Sequence, residues 1–241
     1  MMTVAEKLQT IAENEQKVYD AGYAKGQDEE KLAAYDHFWD TYQQKGNRLN
    51  YMYAFAGVGW TEEWLQPKYD MRPTNCTYMF ARLFSGNAAP VSLAALLERA
   101  GVTLDTSNSE NHIAMFNEAL YVSEIPHIDL TKSKYATNLF NYCISLKKVA
   151  ITVAPNTVPN TAGWFGRCDA LEDLTVNGTL DKSLSLADSA KLSAASVDSI
   201  LAALADLTGQ TAQTLTLHAM VKGALTDDQK AAIAAKNWVL A

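Results

Sequence analysis

The sequence repeats itself in its central third. Residues 139–151 align without a gap on residues 164–176. Phe140 falls on Phe165, Cys143 on Cys168, Leu146 on Leu171, Val149 on Leu174 and Ile151 on Val176, every time at an offset of 25. A weaker copy, Phe116, Ala119, Val122 and Ile125, precedes the first at an offset of 24. No single unit of this size can bury its own apolar face, whereas a stack of units can. The pattern predicts successive turns with Phe and Cys inside, each running through Leu-x-x-Leu-x-Val into a short strand. The predicted repeat core is therefore Phe116, Phe140, Cys143, Leu146, Val149, Phe165, Cys168, Leu171 and Leu174. Matching positions for Cys143 and Cys168 make them small core hydrophobes. Neighbours in a stack also lie close enough for a disulfide or a shared metal, the reading that an oxidising compartment would favour.

Helix signals flank the repeats. Leu93, Leu96 and Leu97 share a face before Gly101, which leads into Val102 and Leu104. Ser193 is placed to cap a helix carrying Val197, Ile200, Leu201 and Leu204, with Gly209 as its stop, and Thr226 caps another with Asp227 and Asp228 in its first turn. Leu184 with Leu186, Leu215 with Leu217, and Trp238-Val239-Leu240 read as short strands. This region is expected to close the stack as a C-terminal cap.

The amino-terminal part differs. Val4, Leu8, Ile11, Glu15, Val18 and Gly22 follow a 4-3-4-3-4 spacing, the seam of a short coiled coil interrupted by Glu15. Residues 1–27 thus read as an amphipathic helix. It either packs on its own chain or oligomerises through Val4, Leu8, Ile11 and Val18, a homotrimer being one outcome, or it frays. Residues 28–75 carry a second helix and an aromatic-rich segment. Between 35 and 69 lie 10 of the chain's 23 aromatic residues, with few aliphatics. They form a small aromatic core or, through Tyr51, Tyr53, Trp60 and Trp64, a surface on which sugars stack. Residues 76–241 make the third unit.

Catalytic patterns are absent from the sequence. His37, His112, His127 and His218 are isolated, with no His-Glu-x-x-His, and neither a nucleophile elbow nor a phosphate-binding glycine loop occurs. The polar run Asp105–Asn111 lacks the glycine and spaced acids of a calcium loop and reads as a turn. No catalytic residue, metal ligand or cofactor site is expected. The formal charge of −7 argues against a nucleic-acid partner. No apolar run reaches the length of a membrane span, and the first 30 residues lack the apolar core of a secretory signal, so no membrane insertion is expected.

The motif Phe140…Cys143…Leu146…Val149…Ile151 and its copy at Phe165 resemble the repeats of BspA-like (Treponema pallidum-type) leucine-rich repeat proteins. That resemblance implies an α+β fold, a short leucine-rich-repeat solenoid with a helical N-terminal region and a helix/strand C-terminal cap. The stretches Val4–Asn14, Tyr35–Asp40, Pro67–Asp70 and Lys236–Leu240 are similar to members found in phages and prophages of gut Firmicutes. Such a resemblance implies a non-enzymatic virion structural protein of the tail, fibre or baseplate, assembled in the bacterial cytoplasm, with other virion proteins or a host-surface protein or glycan as partners. A bacterial cell-surface or intracellular adhesion or interaction module is the alternative it leaves open.

Overall fold

The repeated apolar positions build turns that bond sideways to one another. The structure, a computed structural model, describes residues 71–157 and 160–241. Its elements in order are β1 (Val91–Ser92), α1 (Leu93–Ala100), β2 (Val122–Glu124), β3 (Ile128–Asp129), β4 (Lys148–Val153), β5 (Asp173–Gly178), β6 (Leu184–Leu186), α2 (Ala194–Ala203), β7 (Gln213–Leu217), α3 (Ala219–Ala224), α4 (Asp227–Ala235) and β8 (Trp238–Leu240).

Ahead of the strands run irregular turns with left-handed residues four apart, Tyr78 and Arg82, Ala114 and Glu118, Asn138 and Tyr142, and Gly163 and Arg167. Residues such as Met115, Asn117 and Ala119 donate to the carbonyl three residues back. The residues between them, Ala114, Phe116 and Glu118, donate across to Thr137, Leu139 and Asn141 of the next turn. The same crossing bonds link Phe80 to Met115 and Phe140 to Trp164. From Ala114 to Ala119 every backbone donor is thereby satisfied. The phenylalanines come into a column: Phe80, Phe116, Phe140 and Phe165 stack with centroids 5.1, 5.7 and 5.2 Å apart, and all four are buried.

Both sheets are wholly parallel. The larger pairs β1, β2, β4 and β3 in that order, with β5 on the other side of β4, and curls into a half-barrel. Val149, Ile151 and Val153 of β4 face the core beside Leu174 and Val176 of β5. Gly178 occupies a left-handed φ of +83°, where an added Cβ would collide with the Val153 carbonyl. The exposed edge of β5 is covered by α2. Ser196 Oγ accepts from Leu174 N–H (2.8 Å) and donates to Glu172 O (3.0 Å), while Ser199 Oγ accepts from Val176 N–H (2.9 Å). Two serines thus take the place of a strand. The smaller sheet pairs β6, β7 and β8.

These observations correct the expected leucine-rich-repeat solenoid. That architecture requires one continuous ladder of equal strands at a constant period. Here Val91 faces Val122, Glu124 faces Lys148, Ile128 faces Ile151 and Lys148 faces Asp173, so the offset changes from pair to pair. The ladder then stops at β5, where a helix covers the edge, and a second sheet begins. The four described helices are too few to back the sheet. The 25-residue offset holds between β4 and β5, the pair that the sequence shows most clearly.

Helix starts fall at Ser92, Ser193 and Thr226, each with its side-chain oxygen on the backbone N–H three residues on. Gly101 ends α1 at φ +64°. Gly209 does not end α2, which stops at Ala203. Leu204 bridges Leu180, the Lys236 ammonium donates to Leu201 O (3.0 Å) and Leu204 O (2.8 Å), and the Trp238 indole donates to Ala205 O (2.9 Å). These partners fix the chain in an extended path six residues before the glycine.

Candidate interaction surface

The same turns that bury the phenylalanines send other side chains outward. Two residues after each column phenylalanine stands a left-handed residue: Arg82 (φ +56°), Glu118 (+59°), Tyr142 (+61°) and Arg167 (+55°). Each donates its N–H to the next turn or, for Arg167, to Asp188 Oδ2 at 2.8 Å. The four side chains therefore form a second column parallel to the first, on the outside. Arg82 Nε lies 2.8 Å from Glu118 Oε2, the two side chains being 67% and 40% exposed. The Arg167 guanidinium lies over the Tyr142 ring, 5.8 Å from its centroid, and also meets Asp169 at 3.0 Å. On the same turn as Tyr142, Ile144 is also exposed, as is Tyr135 at the turn's start. Beside the column, Asn141 donates to Asn117 Oδ1 at 3.0 Å.

Left-handed φ costs a residue with a Cβ about 1–2 kcal/mol. Glycine would avoid that strain but add about 0.5–1 kcal/mol of chain entropy. An exposed ion pair returns about 0–1 kcal/mol, and an exposed cation–π contact about 0.5–1. Those quantities nearly cancel, so stability does not dictate which side chains stand there. Their types carry the information, because Arg and Tyr are the residues most enriched where proteins bind partners.

Sequence reasoning did not single out Arg82, Glu118, Tyr142 or Arg167. The signal was present as the residue two after each repeat phenylalanine. Phe80 was missed as well, because α1 and its connections lengthen that unit to 36 residues and break the constant offset. Of the predicted core, Phe116, Phe140, Cys143, Leu146, Val149, Phe165, Cys168, Leu171 and Leu174 are all at most 1% exposed. Val4, Leu8, Ile11 and Val18, and likewise Tyr51, Tyr53, Trp60 and Trp64, lie outside the described residues.

Cys76, Cys143 and Cys168 are free thiols in the core. Cys143 donates to Phe116 O (3.1 Å) and Cys168 to Phe140 O (3.2 Å), so each thiol bonds the phenylalanine carbonyl of the preceding turn. Burial pushes Cys76 and Cys168 up to about 12, and Cys143 well above the usual thiol range. A thiol so protonated is a poor nucleophile. In the native protein all three are expected to resist a disulfide reagent at pH 8 and to react in full in denaturant. Fast labelling of even one thiol in the folded protein would contradict this packing.

Among the described residues no group of three or more His, Cys, Asp or Glu side chains could hold a metal ion. None of the described helices is long and apolar enough to cross a membrane. No family model matches the chain, and neither does any curated protein or solved structure.

Proposed function

We propose that this protein is a non-enzymatic binding component of a phage virion, belonging to the tail, fibre or baseplate. The exposed column Arg82–Glu118–Tyr142–Arg167 is its contact with a neighbouring virion protein or a host-surface protein or glycan. The observation that carries the binding role is this column of guanidinium and aromatic side chains, held at fixed spacing on a rigid stack. A preorganised surface loses little entropy on binding. The virion setting is supported by the similarity of Val4–Asn14, Tyr35–Asp40, Pro67–Asp70 and Lys236–Leu240 to proteins of phages and prophages.

The test has two parts. Mass spectrometry of virions induced from a lysogen that carries the gene is expected to find the chain, and its absence would overturn the virion assignment. Virions carrying Tyr142→Ala with Arg167→Ala are then compared with the parent. Each truncation at a binding centre costs more than about 1 kcal/mol, so together they are expected to reduce adsorption or incorporation of the protein at least ~10-fold. Equal adsorption and equal incorporation would remove the column from the binding role.

A further inference from the structure

We propose that the open edge of β8 is an interaction surface, and that its occupant is β8 of a second copy of this chain, paired antiparallel about a two-fold axis. Ala241 N–H donates to Leu215 O at 3.0 Å, and Ala241 O accepts from Leu217 N–H at 3.1 Å. In a parallel ladder every second residue turns both its backbone groups to the neighbouring strand. Val239, in register with Thr214, therefore bonds β7 as Ala241 does, and Trp238 and Leu240 turn their N–H and C=O the other way. No strand among the described residues pairs with β8 on that side. The edge of β5 is treated differently, since Ser196 and Ser199 take the outward N–H groups of Leu174 and Val176. At β8 no hydrogen bond among the described residues takes the equivalent groups. Such a row is a template for another strand unless charges, prolines or bulges block it. Residues 237–241 contain neither a charged residue nor a proline, and the register with β7 is unbroken.

Three features select a second copy as the occupant. The edge complements itself. With the axis through Val239, Trp238 faces Leu240 of the second copy and each such pair exchanges both N–H···O bonds, so every outward group on both edges is matched. Val239 then stands opposite Val239 of the second copy as the non-bonded pair, with Cα atoms ~4.5 Å apart. That position is also the apolar one left in water: Val239 is 52% exposed on the outer face of the sheet, whereas Trp238 is 4% exposed on the inner face. Directly opposed β-branched side chains stabilise a sheet, and here they cover each other. Charge points the same way. The chain carries −7, so two copies repel overall and meet most favourably where charge is absent, as it is over 237–241. The pairing joins two three-stranded sheets into one. The contact is short, so the association is weak and depends on concentration.

Sedimentation velocity on the full chain, over a wide range of concentration, is expected to show a reversible doubling of mass. Val239→Lys and Val239→Glu each set like charges opposite one another across the axis and should lose that step, while an equimolar mixture of the two should regain it. Val239 points away from the core, so either charge leaves the fold in place, which circular dichroism checks. In Val239→Cys, mild oxidation should link two chains through residue 239, because Cα atoms ~4.5 Å apart are within disulfide reach. The native thiols are buried and do not compete. Peptide mapping identifies the bond. A parent that never doubles in mass, a doubling that neither charge removes, a mixture that stays dissociated, or the absence of a 239–239 bond would each overturn the proposal. If a charge variant fails to fold, the cysteine variant, close to valine in size, decides. The result does not depend on the virion assignment, since it reads contacts between copies of the purified protein.

Discussion

Phe140→Ala is expected to cost about 3–5 kcal/mol of folding stability, the range for removing a fully buried aromatic side chain. Phe140 is 0% exposed and lies between two rings, Phe116 at 5.7 Å and Phe165 at 5.2 Å, so its loss opens a void that neighbours on both faces cannot fill without moving the turns that carry them. Those turns have little freedom, because Phe140 N–H is bonded to Trp164 O and Phe116 N–H to Leu139 O. Domains of this size hold about 5–15 kcal/mol in total, so the variant should sit near the edge of unfolding. Urea titration followed by circular dichroism measures it. Ile144→Ala, on the same turn but 39% exposed, serves as the control and should lose far less. A double-mutant cycle of Phe116→Leu with Phe140→Leu should show a coupling of about 0.5–1.5 kcal/mol from ring stacking. If Phe140→Ala shifted the midpoint no more than Ile144→Ala, the phenylalanine column would not be the backbone of the core.

The parts of this fold that could be read from sequence are those with a local cause. Ser92, Ser193 and Thr226 announce helices because a hydroxyl satisfies an N–H that the helix leaves free. The Phe140 and Phe165 units show their alignment because β4 and β5 pair at that same offset. What could not be read depends on distant partners. Residues 204–209 leave α2 early because Lys236, Trp238 and Leu180 hold them, and none of the three is near in sequence. The serines that close the edge of β5 look in sequence like ordinary surface residues of a helix. The departure from a solenoid has the same origin: the period drifts where α1 is inserted and where Pro126 and His127 separate β2 from β3, and a pattern of core residues alone does not report that drift. The outward column was legible in principle, but only after the turns were known to carry a left-handed residue two positions after each phenylalanine.

Acidification is expected to destabilise the protein through His112, a residue that the sequence presented as isolated. The ring is fully buried in register with Cys76 on one side and Ala136 on the other. Its Nδ1 lies 3.0 Å from Ser133 Oγ, whose own hydrogen is directed at Tyr135 O. Nδ1–H therefore donates to Ser133, which leaves Nε2 as the bare nitrogen, and Nε2 has no partner among the described residues. A second proton would have to sit there, buried and without an acceptor. Burial accordingly lowers the pKa from 6.5 to about 4, with Asp129 opposing only in part. The folded state stays neutral while the unfolded chain takes up a proton below pH 6.5. Stability contributed by neutral His112 is thus complete above about pH 6.5, declines as pH falls toward 4, and is flat below that. Lowering the pKa from 6.5 to about 4 makes the full loss about 3 kcal/mol. Urea midpoints at pH 7.5, 5.5 and 4.0 measure it, with His112→Leu as the comparison. That variant leaves Ser133 bonded to the Tyr135 carbonyl and removes the titrating ring. Between pH 6.5 and 4 it should lose about 3 kcal/mol less than the parent, whatever its stability at pH 7.5. Parallel pH profiles for the two proteins would show that His112 is not the group that acid reaches.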